Sequence, residues 1–190
     1  MPEANTYHFV RVNGDTGHNN PAQPQCYVKN EPPQWPERFF NYADYCFTNN
    51  IIRIGWPGTG DLAQQADVPI RTPCYDPFKE KHRRYLQNFR DMERGDGVLM
   101  PDKSRPGVLF AGEVTTGYSY FHDVPRHPFE CAHRVGVRWD RHNGVPVEYT
   151  AEEFGFGISG GWWLWAYHKL TAPRHEALID RINRRRAGNR

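Results

Sequence analysis

The stretch "GVLFAGEVTTGYSYF", residues 107–121, reads as two strands and the turn between them. Residues 107–114 make a strand, Thr115 to Gly117 turn the chain, and "YSYF" resumes it. Strands joined this closely pair as antiparallel neighbours, which points away from a fold built on long parallel crossovers. Upstream, "PDKSRP" at 101–106 divides this region from another short strand, "VLM" at 98–100. Gly95-Asp96-Gly97 ends the preceding helix, in which Phe78, Tyr85, Phe89 and Met92 recur at helical spacing behind an Asp76 cap and Pro77.

Further towards the N-terminus, "IIRIGWPGTGDL" at 51–62 is a strand running into a corner, with Trp56 where one gives way to the other. Before it, "PERFFNYADYCFTNN" sets Phe39, Ala43, Cys46 and Phe47 at helical spacing behind Pro36, and Asn49-Asn50 stops that helix. "TYHFVRV" at 6–12 alternates Tyr7, Phe9 and Arg11 against His8, Val10 and Val12, a first strand. Residues 14–34, rich in Asn, Pro and Gln, read as a polar loop insertion.

Downstream, "HRVGVRW" at 133–139 alternates His133, Val135, Val137 and Trp139 against Arg134, Gly136 and Arg138, a face that reads as solvated. "GWWLWAYHKL" at 161–170 fits a strand or the start of a helix, and Thr171 is placed to cap a last helix that buries Leu178, Ile179 and Ile182. Five or six short strands, two helices among the first three and one at the end predict an α+β fold. Its sheet is small, curved, mixed or antiparallel and closing towards a barrel, with helices outside. One domain is expected over 1–170, followed by a basic helix and tail over 171–190.

A chain of 190 residues can bury a proper core, and 11 Phe, 10 Tyr and 6 Trp make that core aromatic-rich. A formal charge of +2 gives little long-range pull on a polyanion, so local clusters matter more. The end, "RHEALIDRINRRRAGNR", is such a cluster. Cys26, Cys46, Cys74 and Cys131 are scattered without a C-x-x-C pair, so reduced thiols are expected rather than a zinc ribbon or redox motif. No run of eighteen apolar residues and no leader-like start is visible, so the expected setting is cytoplasmic, with no membrane partner.

Among catalytic and nucleotide motifs, "GWPGTGDL" lacks the lysine of a phosphate loop, "GFGISGG" lacks the setting of a dinucleotide fingerprint, and no G-x-S-x-G elbow occurs. His122, His127, Cys131 and His133 are metal ligands by type, but prolines interrupt any helix that would align them. Asp91, Glu93, Asp96 and Glu113 form no nuclease triad with a following lysine. The expectation is a non-catalytic protein without cofactor or metal. The alternatives are a metal-dependent nuclease or other hydrolase using the His122–His133 region, and a module for a small nucleotide-like ligand. What stands out is aromatic side chains beside turns: Trp35, Trp56, Tyr118, Tyr120, and the group Trp162, Trp163 and Trp165, while Trp139 shares a face with Val135 and Val137 and reads as core. Aromatic walls at strand ends can sandwich a nucleobase.

The order "IIRIGWPGTGDL", "NFRDMERGDGVLMP", "GVLFAGEVTTGYSYF", "HRVGVRW" resembles the PUA-like (EVE and YTH related) domains often found beside restriction nucleases. "QNFRDMERGD" also resembles the helix end of EVE domains, where an Asn and a Met precede Gly-Asp. The likeness covers about residues 5–140; the 14–34 loop is longer than usual there, and these 190 residues include no fused nuclease or ATPase domain. The resemblance implies a barrel-like sheet with a pocket that receives a flipped, often methylated base. It implies Trp56 as a wall, Tyr118 and Tyr120 nearby, and Asn88 as the helix asparagine; Trp35 is added from its Pro-flanked loop. Lys103, Arg105, Arg134, Arg138, Arg184 and Arg185 are the expected phosphate contacts. The expected partner is DNA or RNA, with a separate nuclease or effector subunit if the chain is the targeting component of a restriction or defence system.

Overall fold

The computed structural model describes residues 4–10, 42–54, 61–64, 79–102, 105–121, 133–156 and 167–188. In chain order these form β1 (Thr6–Val10), α1 (Tyr42–Asn49), β2 (Ile51–Ile54), a short 3-10 turn (Leu62–Gln64), α2 (Lys79–Arg90), β3 (Gly97–Pro101) and β4 (Val108–Tyr120). There follow β5 (His133–Trp139), β6 (Arg141–His142), β7 (Val145–Pro146), β8 (Glu148–Thr150), α3 (Ala151–Phe154), β9 (Tyr167–Thr171) and α4 (Glu176–Ala187). The main sheet runs β2-β5-β4-β3-β1-β9, with β8 on β4 and a separate β6-β7 pair. All pairings are antiparallel except β1 with β3, so the fold is α+β with a mixed, mostly antiparallel sheet. Among the described residues no pairing joins β2 to β9, and the sheet is an open path rather than a closed barrel.

The sheet has a hydrophobic core on each face. One gathers Cys46 and Phe47 of α1, Leu86 and Phe89 of α2, and Val10, Ile52, Val98, Val114, Val137 and Trp139 of the sheet. The other packs Tyr7, Phe9, Leu99, Leu109 and Tyr149 under Phe154, Ile179 and Ile182 of α3 and α4. The alternation expected in "TYHFVRV" therefore separates two interiors rather than an inside from an outside, and His8 is fully buried among them. Trp139 is core, as read from the sequence, and its indole N–H donates to the Cys46 carbonyl at 3.1 Å.

The sequence places a turn at Thr115 to Gly117; the structure replaces it with a single thirteen-residue strand, β4. Threonine is β-branched and suits a pleated strand, so the Thr-Thr pair extends it instead of breaking it. The irregularity appears as register shifts on either side of Thr116: Val114 faces Val137, Thr116 faces Gly136, and Tyr118 faces Val135. Each shift sets two residues of β4 against one of β5 and swaps the face its side chains occupy. Two in succession return Tyr118 to the face of Val114, where it packs on the first core.

The two helix ends anticipated at Asn49-Asn50 and Gly95 are present. Asn50 (φ 51°) and Gly95 (φ 96°) both adopt the left-handed conformation that ends a helix. Asp76, Pro77, Phe39 and Pro36 lie outside the described residues, whereas Tyr85, Phe89 and Met92 are buried as their spacing predicts. Thr171 does not cap the last helix. It ends β9, and Pro173 keeps Ala172 out of helical conformation, so α4 begins only at Glu176. Ile179 and Ile182 form its buried stripe with Leu178 half-buried, but the stripe continues to Arg186. Its guanidinium donates to both oxygens of Asp140 at 2.7 Å and to the Tyr7 hydroxyl at 2.9 Å. One arginine of the basic tail is thus internal. Gly97 matters for the same corner, because a Cβ there would collide with the Tyr7 ring.

Candidate functional site

Cross-strand register aligns Ile54 of β2 with His133 of β5, and His133 with Tyr120 of β4; one step inward, Ile52, Val135 and Tyr118 line up likewise. Tyr118, Tyr120 and His133 therefore share one face at one end of the sheet, beside the C-terminal end of β2. The Tyr118 and His133 rings lie 5.9 Å apart at 29°, and the Tyr120 and His133 rings 5.4 Å apart at 49°. His133 is buried, whereas both tyrosines are half-buried and keep surface available to a ligand.

The Tyr118 hydroxyl organises the cluster. It accepts the Leu62 amide N–H at 3.1 Å, at the start of the 3-10 turn, and it lies 2.9 Å from His133 Nδ1. One hydroxyl is thus shared between the Leu62 amide and the His133 ring. Burial, the largest influence, pushes the Tyr118 hydroxyl up to about 12, so it stays protonated at neutral pH. The ring is thereby fixed at two points, on β5 and on the 3-10 turn.

Asn88 stands near the end of α2, half-buried, with no side-chain hydrogen bond among the described residues. Helix α2 packs against the 3-10 turn, β4 and β9, and the Cβ direction of Gly117 in β4 points to the Met92 carbonyl just beyond the helix. Below Asn88 lies a network that the sequence reading missed. The Tyr167 hydroxyl meets His8 Nδ1 and the Asn88 carbonyl, the latter at 3.2 Å, and His8 Nε2 meets Asp96 at 2.8 Å. Asp96 also accepts the Glu93 N–H at 3.0 Å. This chain ties β1 and β9 to the end of α2 and so positions Asn88. A histidine inside an otherwise apolar strand was its one visible signal.

The network has a pH consequence. Burial, acting against the Asp96 contact, lowers the His8 pKa below 6.5, so the folded state holds it neutral where the unfolded chain takes up a proton. More protons bound in the unfolded state mean stability that is lost as pH falls below the unfolded value. His168, lowered first by burial, acts in the same sense. For Asp96, burial raises the pKa, but the bonds from His8 and the Glu93 amide outweigh it and hold it below 3.8; its contribution is present above that value and lost in stronger acid. The urea midpoint of the intact chain is expected to fall between about pH 7.5 and about pH 5.5, and less so in a His8→Gln variant. Parallel pH profiles for the two proteins would remove His8 from this role.

The expected phosphate contacts do not form one patch. Arg105 pairs with Asp102 at 2.7 Å and Glu148 at 2.8 Å, at the far end of β4 from Tyr118, roughly 30 Å of strand away. Arg185 pairs with Glu153 on α3 at 2.7 Å, and Arg184 is exposed on α4 without an ion pair among the described residues. Arg138 pairs with Glu113 at 2.9 Å. Arg134 alone adjoins the tyrosine cluster, with its guanidinium 4.1 Å from the centre of the Phe121 ring. Trp35, Trp56, Lys103, His122, His127, Cys131, Trp162, Trp163 and Trp165 lie outside the described residues. Among the described residues no three potential ligands cluster to hold a metal, and no helix is long and apolar enough to cross a membrane.

No curated protein matches the chain. A family model does, over residues 40–155, more than half of the 190. The matched span holds α1, β2, α2 and β3 to β5, and with them Asn88, Tyr118, Tyr120 and His133. It leaves out β1, β9 and α4, and with them His8, Tyr167 and Arg186. The chain belongs to the family described as a domain of unknown function, DUF8426.

Proposed function

We propose that this protein is a non-catalytic nucleic-acid reader of the PUA-like type, which receives a flipped and modified, for instance methylated, base beside Tyr118 and Tyr120. The observation that carries the proposal is the half-buried tyrosine pair, braced by His133 and the Leu62 amide at the end of the sheet. In this reading Trp56 and Trp35 supply further walls, Asn88 offers its amide to the base edge, and the sheet closes towards a barrel in the PUA-like manner.

The energetics suit such a site. Turning a base out of its strand costs a few kcal/mol, which stacking worth roughly 1–3 kcal/mol per base and edge hydrogen bonds offset. A methyl group buried among aromatic rings adds about 0.8 kcal/mol, so strong discrimination also needs rejection of the unmodified base. In this reading Arg134, beside the tyrosine cluster, meets the nearest phosphate, and Arg184, which has no ion pair among the described residues, would meet one further away. Arg138 and Arg185 would have to give up the partly covered carboxylates of Glu113 and Glu153, and Arg105 the exposed one of Glu148; only the last exchange is of low cost, because exposed ion pairs are worth about 0–1 kcal/mol. A separate nuclease or effector subunit would act on the strand so marked. Titration of fluorescent DNA and RNA oligonucleotides, matched except for one base modification, tests the proposal: the modified member of one pair should bind more tightly.

A further inference from the structure

Strand alternation sends the neighbours of the tyrosine cluster to the opposite face of the sheet. Ser119 stands across from Arg134 in register, and Ser119 Oγ donates to the Arg134 carbonyl at 3.4 Å. Phe121, just beyond the end of β4, lies against Arg134 with the guanidinium 4.1 Å from its ring centre. Phe121 is 47% exposed and, with Val145, is one of two exposed large hydrophobic residues among the described ones. Arg134 has no acidic partner among the described residues, and its Nε is buried without a hydrogen bond there. An exposed phenyl ring bearing an unneutralised guanidinium offers a stacking face and a phosphate donor together, the combination that tracks single-stranded nucleic acid without reading its sequence.

We propose that Phe121 and Arg134 form a step for the nucleotide next to the one held at Tyr118, so that the ligand is a single strand of two or more nucleotides straddling the end of β4 and β5. The inference rests on the reading of Tyr118 as a base site and extends it from a base to a strand. Continuity supports it: Tyr120 and Phe121 are consecutive, as are His133 and Arg134, and in each pair one residue belongs to each face. Arg138, further along the same face of β5, extends the basic surface, although Glu113 partly neutralises it.

The test compares a modified nucleoside monophosphate with di- and hexanucleotides carrying the same base, as DNA and as RNA, on the intact chain and on Phe121→Ser and Arg134→Lys variants. The intact protein should bind the dinucleotide about tenfold more tightly than the monophosphate. Phe121→Ser should erase that advantage and leave monophosphate binding unchanged, and Arg134→Lys, which keeps the charge but not the planar stack, should erase part of it. Phe121 is at the surface, so its variant should melt as the parent does. A length advantage that survives in both variants would overturn the step while leaving the base site standing. A monophosphate bound as tightly as the longer ligands would also overturn it, and absence of all binding would remove base site and step together.

Discussion

Arg186→Ala is expected to cost about 3–5 kcal/mol of folding stability, a large fraction of what holds a domain of this size folded. Arg186 and Asp140 are both nearly sealed from solvent, with side-chain exposures of 3% and 6%. Burial alone would lower the Arg186 pKa, but the bonds to Asp140 and Tyr7 outweigh it and hold the group above the usual arginine value. Around the pair, the Tyr149 hydroxyl donates to Asp140 at 2.8 Å, and the Tyr7 hydroxyl donates to Asn183 at 2.7 Å. Removing the guanidinium leaves a carboxylate charged, buried and short of its main partner, which is why breaking such a pair costs more than the pair is worth. For a chain of this size the loss corresponds to a melting point lower by roughly 6–20 °C. An Arg186→Met, Asp140→Asn double variant should recover much of it, because no buried charge then remains. If the alanine variant melted within about 2 °C of the parent, the ion pair would not be the lock between α4 and the sheet.

Tyr118→Ala is expected to abolish the preference for a modified base and to weaken binding of the preferred oligonucleotide by roughly 5- to 150-fold, the range set by loss of one stacking partner. Tyr118→Phe separates the two roles of the side chain. It keeps the ring but leaves the Leu62 N–H and His133 Nδ1 without their shared partner, so the 3-10 turn loosens while a stacking surface remains. Intermediate affinity is expected for it. Salt-dependent background binding should persist in both, since the proposed phosphate contacts lie on other residues. Equal affinities for the parent and the alanine variant would dissociate Tyr118 from the ligand.

Much of the architecture is legible in the sequence, and its gaps have physical causes. Periodic apolar residues announce α2 and β5, and Asn50 and Gly95 announce helix ends because few other residues tolerate positive φ. Thr115-Thr116-Gly117 misleads, since a local pattern of small polar residues does not distinguish a turn from a bulged strand; only the partner β5 decides it. Arg186 misleads in the opposite sense. Its charge places it in a solvated tail, yet it sits one helical repeat beyond Ile182, and Asp140, forty-six residues away, is what admits it to the interior. Tyr118 and Tyr120 stand out in the sequence as aromatic residues following Thr115 to Gly117, although the turn read there is part of β4. That His133 joins them follows from strand register, which the sequence does not contain.

The most direct test of the reader assignment is equilibrium titration of the intact chain with oligonucleotide pairs differing in a single base modification, at two salt concentrations. Tighter binding to one modified strand, with both members of that pair weakening as salt rises, is the expected result. Indifference to every modification at low salt, or no binding at all, would contradict the assignment.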